Sequence, residues 1–195
     1  MCLAGPEGAT AAFAVTVYAR LLGETGMAAL APECRALHAG DGVFHGRITV
    51  EVTRNPVLRA ALRLAGFPPA VEDAELRFEK RGRGARDVWT RSMAGQVMQT
   101  AQWATPDGKL AERMGAMVAM CRLVPAQGGL DLVDWRFRCL GLPAPGWAAP
   151  KVSASERPDT GRYRFEISIG LPWGSAPVLC YHGWLDVAQA ADEGG

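Results

Sequence analysis

The sequence predicts a mainly β fold, an antiparallel meander of about nine or ten strands forming a closed or half-open barrel. Two observations carry this prediction. From residue 73 onward, short segments with two-residue apolar periodicity follow one another, separated by the turn signals RGRG, TPDG and AQGG. Near the end, RYRFEISIG alternates cleanly. Tyr163, Phe165, Ile167 and Ile169 share one face, and Arg162, Arg164, Glu166 and Ser168 the other. Its successor, residues 178–187, carries large side chains on both faces, with Tyr181 beside Leu179 and Leu185, and Trp184 beside Cys180 and His182. A curved sheet wrapped around an interior produces that contrast, with a helix packed outside the second strand.

The elements follow in order. Residues 11–22 read as a helix ended near Gly23. A second helix opens with Pro32, a favoured first helical residue, and ends at Gly40. In GVFHGRITVEV, Phe44, Ile48, Val50 and Val52 alternate with His45, Arg47, Thr49 and Glu51, and Gly46 takes one inward slot. A third helix has Asn55 as N-cap, Pro56 at its first position and Gly66 just past its end. Val57, Leu58, Ala61, Leu62 and Leu64 form its apolar side, and Arg59 and Arg63 lie one turn apart. It is expected to cap one barrel opening with its arginines in water; a membrane surface or a partner chain is the alternative contact. Strands are expected at residues 74–79, 86–93, 95–104, 109–121 and 130–140. After the proline-rich LPAPGWAAP come residues 152–157, 161–170 and 178–187. The domain reading is an N-terminal extension with a helix over 1–31, a single barrel-like domain over 32–187 and a flexible tail over 188–195.

Lysine and arginine total 21 against 20 aspartate and glutamate, so charge offers no case for a nucleic-acid partner. Lys80, Arg81, Arg83 and Arg86 surround Gly82 and Gly84 and read as a solvated hairpin tip. The five cysteines are odd in number and widely spaced, which argues for buried, reduced thiols and a cytoplasmic location. The apolar N-terminus lacks a basic lead-in and residues 9–22 are too few to span a bilayer, so neither a signal peptide nor membrane insertion is expected.

The chain holds no phosphate-binding glycine loop, nucleophile elbow or H-E-x-x-H motif. His38, His45 and His182 are far apart in sequence, and neither a metal nor a cofactor is expected. Methionine is concentrated in the central strands, at Met93, Met98, Met114, Met117 and Met120, where a flexible, polarizable side chain suits an adaptable apolar lining. DVWTRSM puts Trp89, Arg91 and Met93 on one face, and LAERM puts Glu112 on the face of Met114 with Arg113 opposite. Val133, Trp135, Phe137 and Cys139 are expected inward, Arg136 and Arg138 outward. An Arg91–Glu112 ion pair across strands is the expected use of those charges. The resulting ligand-binding set is Trp89, Arg91, Met93, Met98, Glu112, Met114, Met120 and Tyr181, enclosing a small apolar or lipid-like ligand. One alternative is an enzyme with Glu112 as general acid or base and Tyr181 as its partner; the other is a protein-interaction module. The sequence leaves open whether the protein is an enzyme.

The segments LHAGDGVFHGRITV, LAGFPPA, VWTRSMAGQVM, LAERMGAM, LGLPAP, RYRFEISIGLPWG and YHGWLDV occur in that order over residues 32–187. As an ordered set they resemble an uncharacterised bacterial domain-of-unknown-function family, number four-one-six-six. The matching positions are Gly46, Gly66, Phe67, Pro68, Trp89, Arg91, Glu112, Arg113, Pro172, Tyr181, Gly183 and Trp184. His45 and His182 fall where that family has no set residue. The resemblance brings no activity. Its fusions behind dehydrogenase-like or membrane modules imply, for the interaction reading, a role accessory to an oxidoreductase.

Overall fold

The computed structural model describes residues 16–187. Three helices, α1 (Val17–Ala28), α2 (Pro32–Ala39) and α3 (Pro56–Leu64), accompany eleven strands. These are β1 (Gly42–Val52), β2 (Val71–Arg83), β3 (Arg86–Met93), β4 (Gln96–Ala104), β5 (Leu110–Met114), β6 (Met117–Ala126), β7 (Gly129–Cys139), β8 (Leu142–Pro143), β9 (Lys151–Asp159), β10 (Arg162–Gly170) and β11 (Pro177–Asp186). Every pairing is antiparallel, and β6 pairs with β7 as well as with β5. The order β1–β2–β3–β4–β5–β6–β7–β9–β10–β11 therefore returns to β1, a closed ring of ten strands, with two-residue β8 on the free upper part of β7. Closure removes the unpaired edges of an open sheet.

β1 and β3 occupy the residues that alternation marks for them, and α3 has the expected Asn55 cap, whose Oδ1 accepts from the Val57 and Leu58 amides. Other expectations are corrected. Residues 109–121 are two strands, β5 and β6, because Gly115 adopts φ +57° and turns the chain. α1 does not stop at Gly23: the backbone leaves helical geometry there (φ +64°) and resumes helix to Ala28. The part of the expected helix before residue 16, Cys2, and the expected tail lie outside the described residues. Val133 is not inward. A register irregularity opposite Met120/Arg122 pairs it with exposed Arg122, and Leu130 and Leu132 face the core instead. Cys139 is exposed, at the end of its strand, whereas Cys34 and Cys121 are buried. Trp184 is covered by the Arg162 guanidinium, 3.9 Å from its ring centroid, and not by a helix.

β1 and β11 approach so closely that a Cβ at Gly46 would sit 1.8 Å from the Trp184 carbonyl oxygen, and one at Gly183 would sit 2.2 Å from that of Arg47. Only glycine fits either place.

The alternating strand directions give the barrel two unlike ends. One end receives α1, α2 and the short turns β2–β3, β4–β5, β6–β7 and β9–β10. Val17, Tyr18, Leu30, Cys34 and Leu37, from the two helices and their link, join the core there. The other end carries α3 and the connections β3–β4, β5–β6, β7–β9 and β10–β11. All the strongly exposed large apolar side chains among the described residues are on this side: Val57 and Leu64 of α3, Val97 at the start of β4, Leu140, Leu142 and Trp147 between β7 and β9, and Trp173 between β10 and β11. Among the described residues, no helix is long and apolar enough to cross a membrane.

Candidate functional site

Two helices plug the first end, and a buried ion pair complements both of their dipoles. Lys80, on β2, is wholly buried, which corrects its reading as part of a solvated hairpin tip; Arg81, Arg83 and Arg86 are exposed. Its ammonium donates to the carbonyls of His38 (2.9 Å) and Leu37 (3.3 Å), otherwise free acceptors in the last turn of α2. Asp87, on β3 and 3.6 Å from Lys80, accepts from the Val17 amide at the start of α1. A cation thus faces one helix C-terminus and a carboxylate faces another N-terminus, each where the helix dipole favours it. Burial lowers the Lys80 pKa from its ordinary 10.5, and the Asp87 charge opposes that shift.

Above this pair lies an aromatic and polar layer. The Tyr18 ring stacks on His38 with centroids 3.8 Å apart and on Trp89 at 5.7 Å. His38 Nε2 is 2.6 Å from Glu156 Oε2, and both residues are buried. Tyr163 stands edge-on to His38. Burial first, and then the Glu156 charge, push the Tyr18 and Tyr163 phenols well above their ordinary value, so both stay neutral hydroxyls.

This layer floors an internal cavity of about 80 Å³. Tyr18, Trp89, Gln102, Glu156 and Tyr163 supply the polar floor. Ile48, Leu76, Phe78, Met93, Met98, Leu132, Phe165, Ile167 and Leu185 supply apolar walls. Phe67 and Pro68 line it from the α3 side. They reach it through a Schellman turn: the Phe67 amide donates to Leu62 O, the Gly66 amide donates to Arg63 O, and Gly66 takes φ +85°. On one wall Arg91 of β3 donates to Thr100 of β4 (3.0 Å) and to Glu112 of β5 (3.4 Å). The Arg91 guanidinium lies 5.2 Å and 5.5 Å from the Trp89 and Phe78 ring centroids. Tyr181 also lines the cavity, and burial raises its phenol to about 12.

Two buried polar atoms on this lining find no hydrogen-bond partner among the described residues: Trp89 Nε1, a donor, and Gln102 Oε1, an acceptor. They are diagonal neighbours on β3 and β4, since Trp89 pairs with Thr100 and Gln102 with Asp87. His38 Nδ1 is likewise unpaired.

Of the residues expected to bind ligand, Trp89, Arg91, Met93, Met98, Glu112 and Tyr181 line the cavity. Met114 packs against the core without lining it. Met120 is on the outside, beside Arg113, Arg136 and Arg138, because β6 places Ala119 and Cys121 inward and sends the residue between them out. The histidines do not converge: His38 is buried under the cavity, and His45 and His182 are exposed.

Tyr18, His38, Gln102, Glu156 and Tyr163 were not among the site residues expected from sequence. A signal existed for two of them. His38 follows Cys34 by four residues on the buried side of α2, and Glu156 shares the inward parity of Ala154 on β9. No curated protein matches the chain. The model of a family described as "Domain of unknown function (DUF4166)" matches residues 30–185, from the link between α1 and α2 to the last inward leucine of β11, and the chain belongs to that family.

Proposed function

We propose that the barrel binds a small amphipathic ligand, with an apolar body between Met93, Met98 and Ile167 and a polar head toward Trp89 and Gln102. The observation that carries this reading is the pair of polar atoms on the cavity lining that lack a partner among the described residues, next to walls that are mainly apolar. A buried donor or acceptor without a partner costs about 1–3 kcal/mol. A head group that accepts from the Trp89 indole N–H and donates to the Gln102 carbonyl recovers that loss; a hydroxyl, an amide or a protonated acid has both capacities. Arg91, oriented by Thr100 and Glu112, supplies a cation on the same wall. At about 80 Å³ the cavity as it stands admits a ligand of a few heavy atoms, since a benzene ring needs about 150 Å³; a ring or a longer lipid-like ligand requires the lining to give way.

Native mass spectrometry on protein purified without detergent tests this. The expected result is a bound small molecule, or saturable uptake of an environment-sensitive apolar dye that Gln102→Leu and Arg91→Gln weaken about tenfold. Absence of both ligand and dye binding in a folded protein would sink the proposal.

A further inference from the structure

We propose that the α3 end of the barrel docks on an anionic lipid membrane surface. This goes beyond ligand binding and stands or falls separately from it.

The apolar arc of α3 is wider than the barrel covers. Leu58 and Leu62, one turn apart, are half-buried against the fold, whereas Val57 and Leu64 point away from it and Leu64 is 91% exposed. No residue of this nine-residue helix is buried. A short helix with that imbalance lacks a partner for half of its apolar side.

The rest of the end continues the pattern. Leu140, Leu142, Trp147 and Trp173 belong to two further connections and are each more than 70% exposed. The turns at the plugged end present no exposed large apolar side chain among the described residues. Apolar groups spread over separate loops around a barrel mouth suit a broad, deformable apolar medium better than a single groove-filling peptide.

Charge selects the kind of surface. The connections at this end span residues 53–70, 94–95, 115–116, 140–150 and 171–176. Their ionisable residues are Arg54, Arg59 and Arg63, with no acidic residue. All three arginines are exposed, and none makes an ion pair among the described residues. The whole chain is nearly neutral, at +1; at this end three arginines in the connections and exposed Lys151 at the start of β9 outnumber the exposed carboxylates Glu51 and Glu72 at the adjoining ends of β1 and β2, a local basic excess. Arginine stems lie along apolar surface while the guanidinium reaches phosphate oxygens, and tryptophan favours the level of the head groups. Phe67 and Pro68, immediately after α3, line the cavity, so the surface that meets the lipid is also the one next to the mouth.

Co-sedimentation of the full chain with vesicles tests this. One set contains phosphatidylglycerol and phosphatidylcholine in equal parts, the other phosphatidylcholine alone. Binding to the anionic set at low salt, with loss at high salt, is expected. Arg59→Gln with Arg63→Gln should weaken it roughly thirtyfold. Leu64→Ser and Trp173→Ser should each weaken it severalfold while leaving its salt dependence intact. No co-sedimentation, equal binding to both vesicle sets, or unchanged binding by all variants overturns the proposal. So does a concentration-dependent dimer in light scattering that Leu64→Ser dissolves while vesicles stay unbound, since a second copy would then cover the rim. Vesicle binding by a protein that carries no small molecule removes only the ligand-binding reading.

Discussion

The two ends of this barrel close the same strands by opposite means. At the plugged end, charged groups are buried and paired: Lys80 with two helix carbonyls and Asp87, and His38 with Glu156, while the Tyr18, His38 and Trp89 rings stack as a cluster. At the α3 end, seven large apolar side chains are exposed, and Arg54, Arg59 and Arg63 are exposed without an ion pair among the described residues. The difference teaches where stability and adaptability have been placed. Buried charges tolerate little change, because removing one partner strands the other in a poor solvent for ions. Exposed apolar groups contribute little to folding, so an end built from them is free to serve contacts outside the chain.

The strongest challenge to this contrast is Lys80→Met. It leaves Asp87 buried without its cation and two α2 carbonyls without a donor, and should cost about 3–5 kcal/mol in denaturant unfolding. A loss below ~1 kcal/mol would mean that the pair does not hold the plug. Tyr18→Ala should follow closely, at about 3–5 kcal/mol, because the ring stacks on two neighbours and lies in the core.

Alkaline pH probes the dry interior without mutation. Cys34 is held as a thiol to about 12 against an ordinary 9.0, and Tyr181 as a phenol to about 12 against 10.0, both chiefly by burial. Below about pH 9 the folded and unfolded chains both keep these protons. As pH rises from about 9 to about 12, the unfolded chain releases them first, so stability should fall through that window. Cys34→Ala should make the fall in Tm shallower; an identical slope in the variant would count against a dry plug.

The smallest effect belongs to the other end. Val57→Ser and Leu64→Ser should shift stability by no more than about 0.5 kcal/mol. Hydrogen exchange should show α3 amides exchanging far faster than those of β1 and β11, which pair without interruption from His45 with Asp186 to Val52 with Leu179. Slow α3 exchange would show that the helix is better anchored than its exposure suggests.

Much of the fold was legible because local rules decide it. Alternation in β1, β3 and β10, the Asn55–Pro56 start of α3 and the Gly66 stop each depend on neighbours in sequence, and each appears where those rules put it. The face of Trp89, Arg91 and Met93 was readable for the same reason. Legibility failed where a single residue shifts parity or ends a strand: the turn at Gly115, the irregularity that turns Val133 outward, and the outward Met120. The cavity floor was harder to read, because its members come from α1, α2, β3, β4, β9 and β10 and no local pattern joins them.

The amino-acid order by itself determined a ribbon of antiparallel hairpins, the Pro32 start and Gly40 end of α2, the caps of α3, and the inward face that carries Arg91. These depend on backbone conformation and on periods of two and 3.6 residues, which a chain expresses locally. Only the tertiary structure decided that Lys80 is buried, that His38 meets Glu156 118 residues away, and that the exposed apolar residues gather at one end. Closing ten strands into a ring sends alternate connections to opposite mouths, and pairing charges across long sequence separations is worth its desolvation cost only once that ring exists.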